Sequence, residues 1–414
     1  MKTSTRLAVA LFLFSITAAV APVAECSEYA LQPALTLSEE YNDNIFLTPQ
    51  NPVTDYITRI IPSIRLVYKA PLWDWNVAYA YDYRIYARRT VTNDTTHTLD
   101  LLNHTTILKE FFFIDVRDDY YRVSTDIIHD FTQQSLSVNQ SDTNVLSVKP
   151  YLTVNLSSHM TATTGYEYRN VWYKDPNAID KTDNSVYANV NDELSLRTIM
   201  TAGVKYTQTK TKTFDFYKTD LFIGPRYEYA DGSTLWFIIG NSWFSFGQTG
   251  SSSQAFWDIG FAHKFRTYTL SFNTALTYVD DPLHVLRRED RYVGTFNKKT
   301  DRFTLGLTAG LWEYRDVATK HLQDSRYSTG GTISYNITPA LKGTYSLTVD
   351  RYENNQDNTF SMLYLNGVGF DYLVAEKTTL ALGYQNTHGY SPDAVNFNQN
   401  YDNNRITLEL RKQF

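Results

Sequence analysis

Large apolar and polar residues alternate with period two along most of the chain, in segments of roughly ten residues, as expected of half-buried strands. Between Trp75 and Ile85, the residues Trp75, Val77, Tyr79, Tyr81, Tyr83 and Ile85 are large, while Asn76, Ala78, Ala80, Asp82 and Arg84 fill the gaps. Successive side chains of a strand point to opposite faces, so one face of this segment suits hydrocarbon and the other water. The same comb sets Ile60, Pro62, Ile64, Leu66 and Tyr68 against Arg59, Ser63, Arg65 and Lys69, and Leu146, Val148, Pro150, Leu152 and Val154 against Ser147, Lys149 and Asn155. Leu235 to Phe246 is apolar on both faces, and its two sides are not assigned.

After the N-terminal residues, no stretch offers the ~18 apolar residues that a spanning helix needs. Strands in lipid must satisfy every backbone N–H and C=O within the sheet, which requires a closed barrel. Nine short turns, for example 69–73, 109–111, 230–233 and 375–377, alternate with ten longer polar loops, for example 42–55, 88–96, 118–143, 174–183, 280–291, 315–326 and 388–404. The pattern predicts a single transmembrane antiparallel up-and-down β-barrel. It has about 20 strands (16 to 22, given the softness of strand boundaries), short periplasmic turns, long extracellular loops and both termini in the periplasm. Pro33, Pro62, Pro150 and Pro225 fall inside these strands, where a missing N–H breaks the ladder. Their similar settings point to a recurring bulge or strand-end device.

The N-terminus reads as a secretory signal peptide over residues 1–26, with the barrel over 27–414: Lys2 and Arg6 precede an apolar run from Leu7 to Ala21 and small residues near Ala24. Cleavage after Ala24 and cleavage after Cys26 both remain open. Cys26 is the only cysteine, so the mature chain has no disulfide and no thiolate metal site. The 32 Tyr, 23 Phe and 7 Trp, in a chain of negative mean hydropathy, suit a wall that is apolar outside and polar inside. A net charge of −6 with no basic stripe argues against nucleic acid as a partner.

The last ten residues put Ile406, Leu408 and Leu410 on one face and end on Phe414, which resembles the signal read by the barrel-assembly machinery of the outer membrane; Lys412 departs from the usual apolar residue at its position. Leu37-Ser-Glu-Glu-Tyr-Asn-Asp-Asn-Ile-Phe46, followed by Thr58-Arg-Ile-Ile-Pro-Ser-Ile64, resembles the opening of the β-barrel porin family of outer-membrane proteins associated with exopolysaccharide loci and PEP-CTERM (exosortase) systems. The resemblance extends over the mature chain in its hairpin layout. It implies a channel in the bacterial outer membrane that carries an exopolysaccharide outward, with a periplasmic polysaccharide-export protein and the polysaccharide itself as partners. Outer-membrane lipid and lipopolysaccharide would surround it.

Catalytic chemistry has no warrant in the sequence. The eight histidines show no metal-ligand spacing, and no nucleophile elbow, phosphate-binding loop or zinc-peptidase motif is present, so no enzyme, cofactor or metal is predicted. His129-Asp130 with Ser124 reads as a solvated loop, and Glu39, Glu40 and Asp43 lack EF-hand spacing and read as a solvated rim. The inward series predicts lumen-lining charges of mixed sign: Arg59, Arg65, Lys69, Arg84, Lys149 and Lys205 against Asp82, Asp100, Asp115, Glu193 and Asp258. Tyr68, Trp73, Trp75, Phe111, Phe265 and Tyr268 read as interfacial girdles. Tyr86, Phe256 and Trp236 are the candidates for inward rings on which a sugar could stack. The stretch 118–143, with Tyr120, Tyr121, Ile127, Ile128 and Phe131, is the candidate constriction loop. Beside polysaccharide export, two other functions fit a barrel: a general diffusion porin for small solutes and ions, and a structural or adhesive surface barrel.

Overall fold

The computed structural model describes residues 27–126, 138–212, 215–247, 250–279, 281–283, 286–317, 319–392 and 400–414. Twenty strands follow one another: β1 (Glu28–Asn42), β2 (Asp55–Ala70), β3 (Trp73–Tyr86), β4 (Asp94–Leu108), β5 (Phe112–Ser124), β6 (Gln140–Asn155) and β7 (Met160–Tyr173). Next come β8 (Lys181–Ser195), β9 (Thr198–Thr211), β10 (Asp215–Ala230), β11 (Ser233–Ser245), β12 (Ser251–Lys264), β13 (Tyr268–Val279) and β14 (Arg287–Lys299). The chain closes with β15 (Phe303–Asp316), β16 (Leu322–Asn336), β17 (Leu341–Asn354), β18 (Thr359–Ala375), β19 (Thr378–Tyr390) and β20 (Tyr401–Gln413). Each strand pairs antiparallel with the next, and β1 pairs with β20 from Ala34↔Gln413 to Asn42↔Arg405, so the sheet has no free edge. The fold is a closed antiparallel barrel of 20 strands.

All nine short turns lie where the sequence puts them, at one end of the barrel. The connections at the other end are shorter than the polar pattern suggests: 174–180 joins β7 to β8, 317–321 joins β15 to β16, and 212–214 joins β9 to β10. Polarity marks the flanks that leave the apolar band, yet the ladder continues through them because their polar side chains pair with one another. At the tip of β5 and β6, Arg122 Nε donates to Asp142 Oδ1 at 2.8 Å. Tyr120 and Tyr121 therefore belong to the wall, opposite Asn144 and Thr143, and not to a loop.

Three of the four strand prolines share a device that is not a bulge. The ladder is interrupted at Pro62 between Ile60↔Tyr83 and Ser63↔Ala80, at Pro150 between Val148↔Tyr168 and Tyr151↔Gly165, and at Pro225 between Ile223↔Ile239 and Arg226↔Trp236. Register is unchanged across each gap, so the missing donor costs one rung and no residue is inserted. Pro33 lies just past the last β1–β20 rung, where its carbonyl accepts from Phe414 N at 2.9 Å.

Exposed apolar side chains, such as Leu221, Ile223, Phe237, Ile239, Leu382 and Leu408, form an outward series around the barrel, far more apolar surface than a water-soluble monomer presents. Buried apolar clusters gather instead at the long-loop end: Leu47, Tyr314, Tyr352, Leu363 and Tyr401; Val171, Tyr173 and Ala178; Phe216, Phe244 and Val317. Connections meet across that end, where Ile179 N donates to Pro282 O at 2.8 Å and Lys181 Nζ reaches Asp281 O at 3.4 Å.

The distinctive segment 37–46 owes its composition to the barrel seam. Asn403 Nδ2 donates to Asn42 Oδ1 at 3.0 Å and to Asn44 O at 2.7 Å, Asn404 Nδ2 donates to Asp43 Oδ2 at 2.8 Å, and Arg405 Nη2 donates to Glu40 Oε2 at 2.8 Å. Asn42, Asn44 and Asn403 are almost wholly buried, so each lost partner strands a polar group. Asn403→Ala is expected to destabilise the barrel by about 1–3 kcal/mol for each group left without a partner. The check is the temperature at which purified protein loses its folded gel mobility: a fall relative to wild type is expected, and an unchanged midpoint would remove the seam from the account.

Candidate functional site

Directly opposed residues in a sheet share a face, so the register carries the outward assignment of the apolar series around the wall. All eleven charges predicted to face inward lie on the opposite, inner face. Arg59 stands across from Arg84, Arg65 leads through Ala78 to Asp100, and Lys69 leads through Asp74, His104 and Asp115 to Lys149. Lys205 and Glu193 share the inner series of β8 and β9, and Asp258 that of β12.

The structure brings several of them together. Asp82 Oδ2 lies 2.7 Å from both Arg59 Nη2 and Arg84 Nη2, forming a triad on β2 and β3 in which Asp82 and Arg84 are buried and Arg59 half-buried. Glu167, which the sequence reading did not single out, lies 3.1 Å from Lys149 Nζ and 2.8 Å from Lys205 Nζ. Asp115 Oδ1 meets His104 Nδ1 at 2.7 Å, and Asp258 accepts from Trp236 Nε1 at 2.8 Å and Asn273 Nδ2 at 2.7 Å. Arg65, Lys69, Asp115 and Lys149 line a recess of about 890 Å³ on the β2–β7 wall, together with Arg117, Glu167 and Arg169. This half of the interior is thus densely charged, with most cations held by a carboxylate.

Inward rings occupy the neighbouring sector. Phe222 stands opposite Gly203, Phe256 opposite Gly240, Trp236 opposite Gly260, and Tyr187 opposite Gly165. A methyl group added to Gly203, Gly240 or Gly260 would collide with the ring of Phe222, Phe256 or Trp236, so these rings lie flat over backbone that no side chain covers. Lower on the wall, Phe113 stacks on Tyr151 at 5.3 Å and on His104 at 5.5 Å. Of these rings, Phe256 was legible as inward, and Trp236 was a candidate in a strand whose two faces the sequence does not separate. Phe222, Tyr187 and Tyr151 were not legible, because the signal is a glycine at the paired position, which only the register reveals, and Phe113 was not, because its partner ring Tyr151 lies on the next strand.

Other candidates fare differently. Tyr86 is on the inner face but only 3% exposed at the long-loop end, so it offers no stacking surface. Ile127, Ile128 and Phe131, like His129 and Asp130, lie outside the described residues, as does the 1–26 segment. Val138, at the far end of the same connection, packs against the cluster of Tyr314, Tyr352 and Leu363 on the opposite wall. Glu39 accepts from Thr58 on the outer face while Glu40 is bound to Arg405 and Asp43 to Asn404, so the three carboxylates do not converge. Ile406, Leu408 and Leu410 form an exposed outward stripe on β20, and Phe414, just past its end, is exposed as well.

No protein-family model and no curated protein matches the chain. Among solved structures, it is similar to a double mutant of the ferric enterobactin receptor PfeA from Pseudomonas aeruginosa, at 10% identity and a TM-score of 0.53, covering 92% of this chain and 80% of that one. A mutant of the same receptor in complex with enterobactin gives 11% identity and a TM-score of 0.50, covering 92% and 81%. What is shared at this identity is the large barrel fold.

The Asp82 triad generates a direct test. Asp82→Ala leaves the buried Arg84 and the half-buried Arg59 without this carboxylate, at an expected cost of about 3–5 kcal/mol, whereas Asp82→Ala combined with Arg59→Ala and Arg84→Ala should recover much of it. Thermal loss of folded gel mobility reads both, and a single variant as stable as the triple would contradict the pairing.

Proposed function

We propose that this protein is an outer-membrane channel that passes a secreted polysaccharide outward, delivered after removal of a signal peptide spanning residues 1–26. The observation that carries the reading is the set of flat inward rings, Phe222, Phe256 and Trp236, each laid over a glycine, on a barrel wall that elsewhere forms a polar, charged recess. The C–H face of a pyranose packs on an aromatic face, while its hydroxyls need polar partners at the ring edge. A wall that supplies both holds a sugar chain weakly at many points, and a conduit works only where binding is weak enough to release. The chain moves because it is synthesised on the inner side, with no chemistry in the barrel.

In this reading the short turns face the periplasm and a polysaccharide-export protein, and the outward stripe ending in Phe414 serves the barrel-assembly machinery. The outer belt meets lipid and lipopolysaccharide. The mixed charges around Arg65, Asp100 and Glu193 line the water path. The stretch 118–143 remains the proposed constriction, on the ground that Val138 packs against the cluster on the far wall.

Ion current through single barrels in a planar bilayer tests the reading. Neutral malto-oligosaccharides are expected to block it, and Phe222→Ala with Phe256→Ala to raise the blocking concentration roughly tenfold, in line with two lost aromatic contacts. Block unaffected by the ring substitutions would leave a general diffusion porin as the better account, and a barrel without current would leave a surface adhesin. Deleting residues 126–137 is expected to raise conductance; an unchanged step in a folded barrel would remove the constriction. In cells, loss of surface polysaccharide on deletion is expected, and normal polysaccharide would overturn the export role.

A further inference from the structure

The rim at the short-turn end is uneven in charge. From the last residue of β12 to the second residue of β17 it carries Lys264, Arg266, Lys298, Lys299, Arg302 and Lys342, against the single carboxylate Asp301. None of the six forms an ion pair among the described residues, and all but Lys298, whose Nζ lies 5.6 Å from the centre of the Phe303 ring, are exposed. The flanking carboxylates are engaged or apart: Asp371, opposite Lys342 in register, is 3.7 Å from Arg411, and Glu228 accepts from Gly232 N at 3.0 Å. Elsewhere on the inner wall most cations are matched, with Arg59, Arg84, Lys149 and Lys205 each within 3.1 Å of a carboxylate.

Three of the free cations face the lumen mouth. Register sets Lys264 opposite Thr269, Lys299 opposite Thr304 and Lys342 opposite Asn336, all in the inner series. Beyond them the inner wall of β15 to β17 is neutral and hydroxyl-rich, through Thr304, Thr308, Thr332, Ser334, Thr344 and Ser346. The next inner ionised groups on these strands are Arg326 and Asp350, paired at 3.1 Å toward the far end. Uncompensated charge of one sign at a confined opening raises the local concentration of the opposite ion and its entry rate. The neutral wall above then offers hydrogen bonds without an ionic trap.

We infer that the short-turn mouth admits an acidic glycan: Lys264, Lys299 and Lys342 collect a saccharide chain bearing carboxylate groups and hand it to the neutral wall of β15 to β17. The inference rests on the saccharide-conduit reading and narrows its substrate to a polyanion.

Purified protein in a planar bilayer under a KCl gradient provides the test, with oligogalacturonate and neutral malto-oligosaccharide as probes. Wild type is expected to prefer anions, and the variant K264E/K299E/K342E to shift the reversal potential toward cation preference. The same variant should raise the blocking concentration of oligogalacturonate on the order of tenfold at low ionic strength, an effect that fades as salt screens it, and leave neutral block unchanged. K264Q/K299Q/K342Q carries the same expectation at smaller size if the reversed variant does not fold. An unchanged reversal potential, or equal effects on acidic and neutral oligomers, overturns the inference. Absence of neutral block in wild type defeats the conduit reading itself, which the reversal potential tells apart. Normal selectivity and block in the variant, with surface polysaccharide lost in cells, would assign the cations to an acidic periplasmic protein and overturn the inference as well.

Discussion

Everything in this molecule follows from the need to satisfy backbone hydrogen bonds where water is absent. A strand in hydrocarbon has no solvent to turn to, so the first and last strands must find each other. The β1–β20 seam meets that need twice, by its ladder and by a buried side-chain network in which Asn42, Asn44 and Asn403 exchange hydrogen bonds beside the Glu40–Arg405 ion pair. Closing a 20-strand sheet joins residues more than 350 positions apart. The segment 37–46 is polar and asparagine-rich because it sits at that junction, whatever else it does.

Closure also divides the side chains into two populations with different rules. Outside, only apolarity is required, and the comb of alternate large residues meets it. Inside, each sector has its own character: a charged wall on β2 to β9 whose cations are mostly matched by carboxylates, a sector of flat rings over glycines on β7 to β12, and a neutral hydroxyl wall on β15 to β17.

Much of this was legible in the sequence. Period-two alternation gave the barrel, its nine turns and its strand number, because in lipid one face must be apolar at every second position. The inward parity of Arg59, Asp82 and Lys149 followed from the same rule. Loop lengths were less legible, since polar residues beyond the apolar band look alike whether they pair in a ladder, as Arg122 and Asp142 do, or turn in water. Partnerships across strands were not legible at all: Glu167 between two lysines, or Phe222 over Gly203, depends on register, which is set by all twenty strands together.

The central claim is that the closed wall encloses a continuous water path. Single-channel recording of the purified, refolded protein in a planar lipid bilayer addresses it most directly. Discrete, reproducible current steps are the result this account predicts; bilayers that hold correctly folded barrels and carry no current would contradict it.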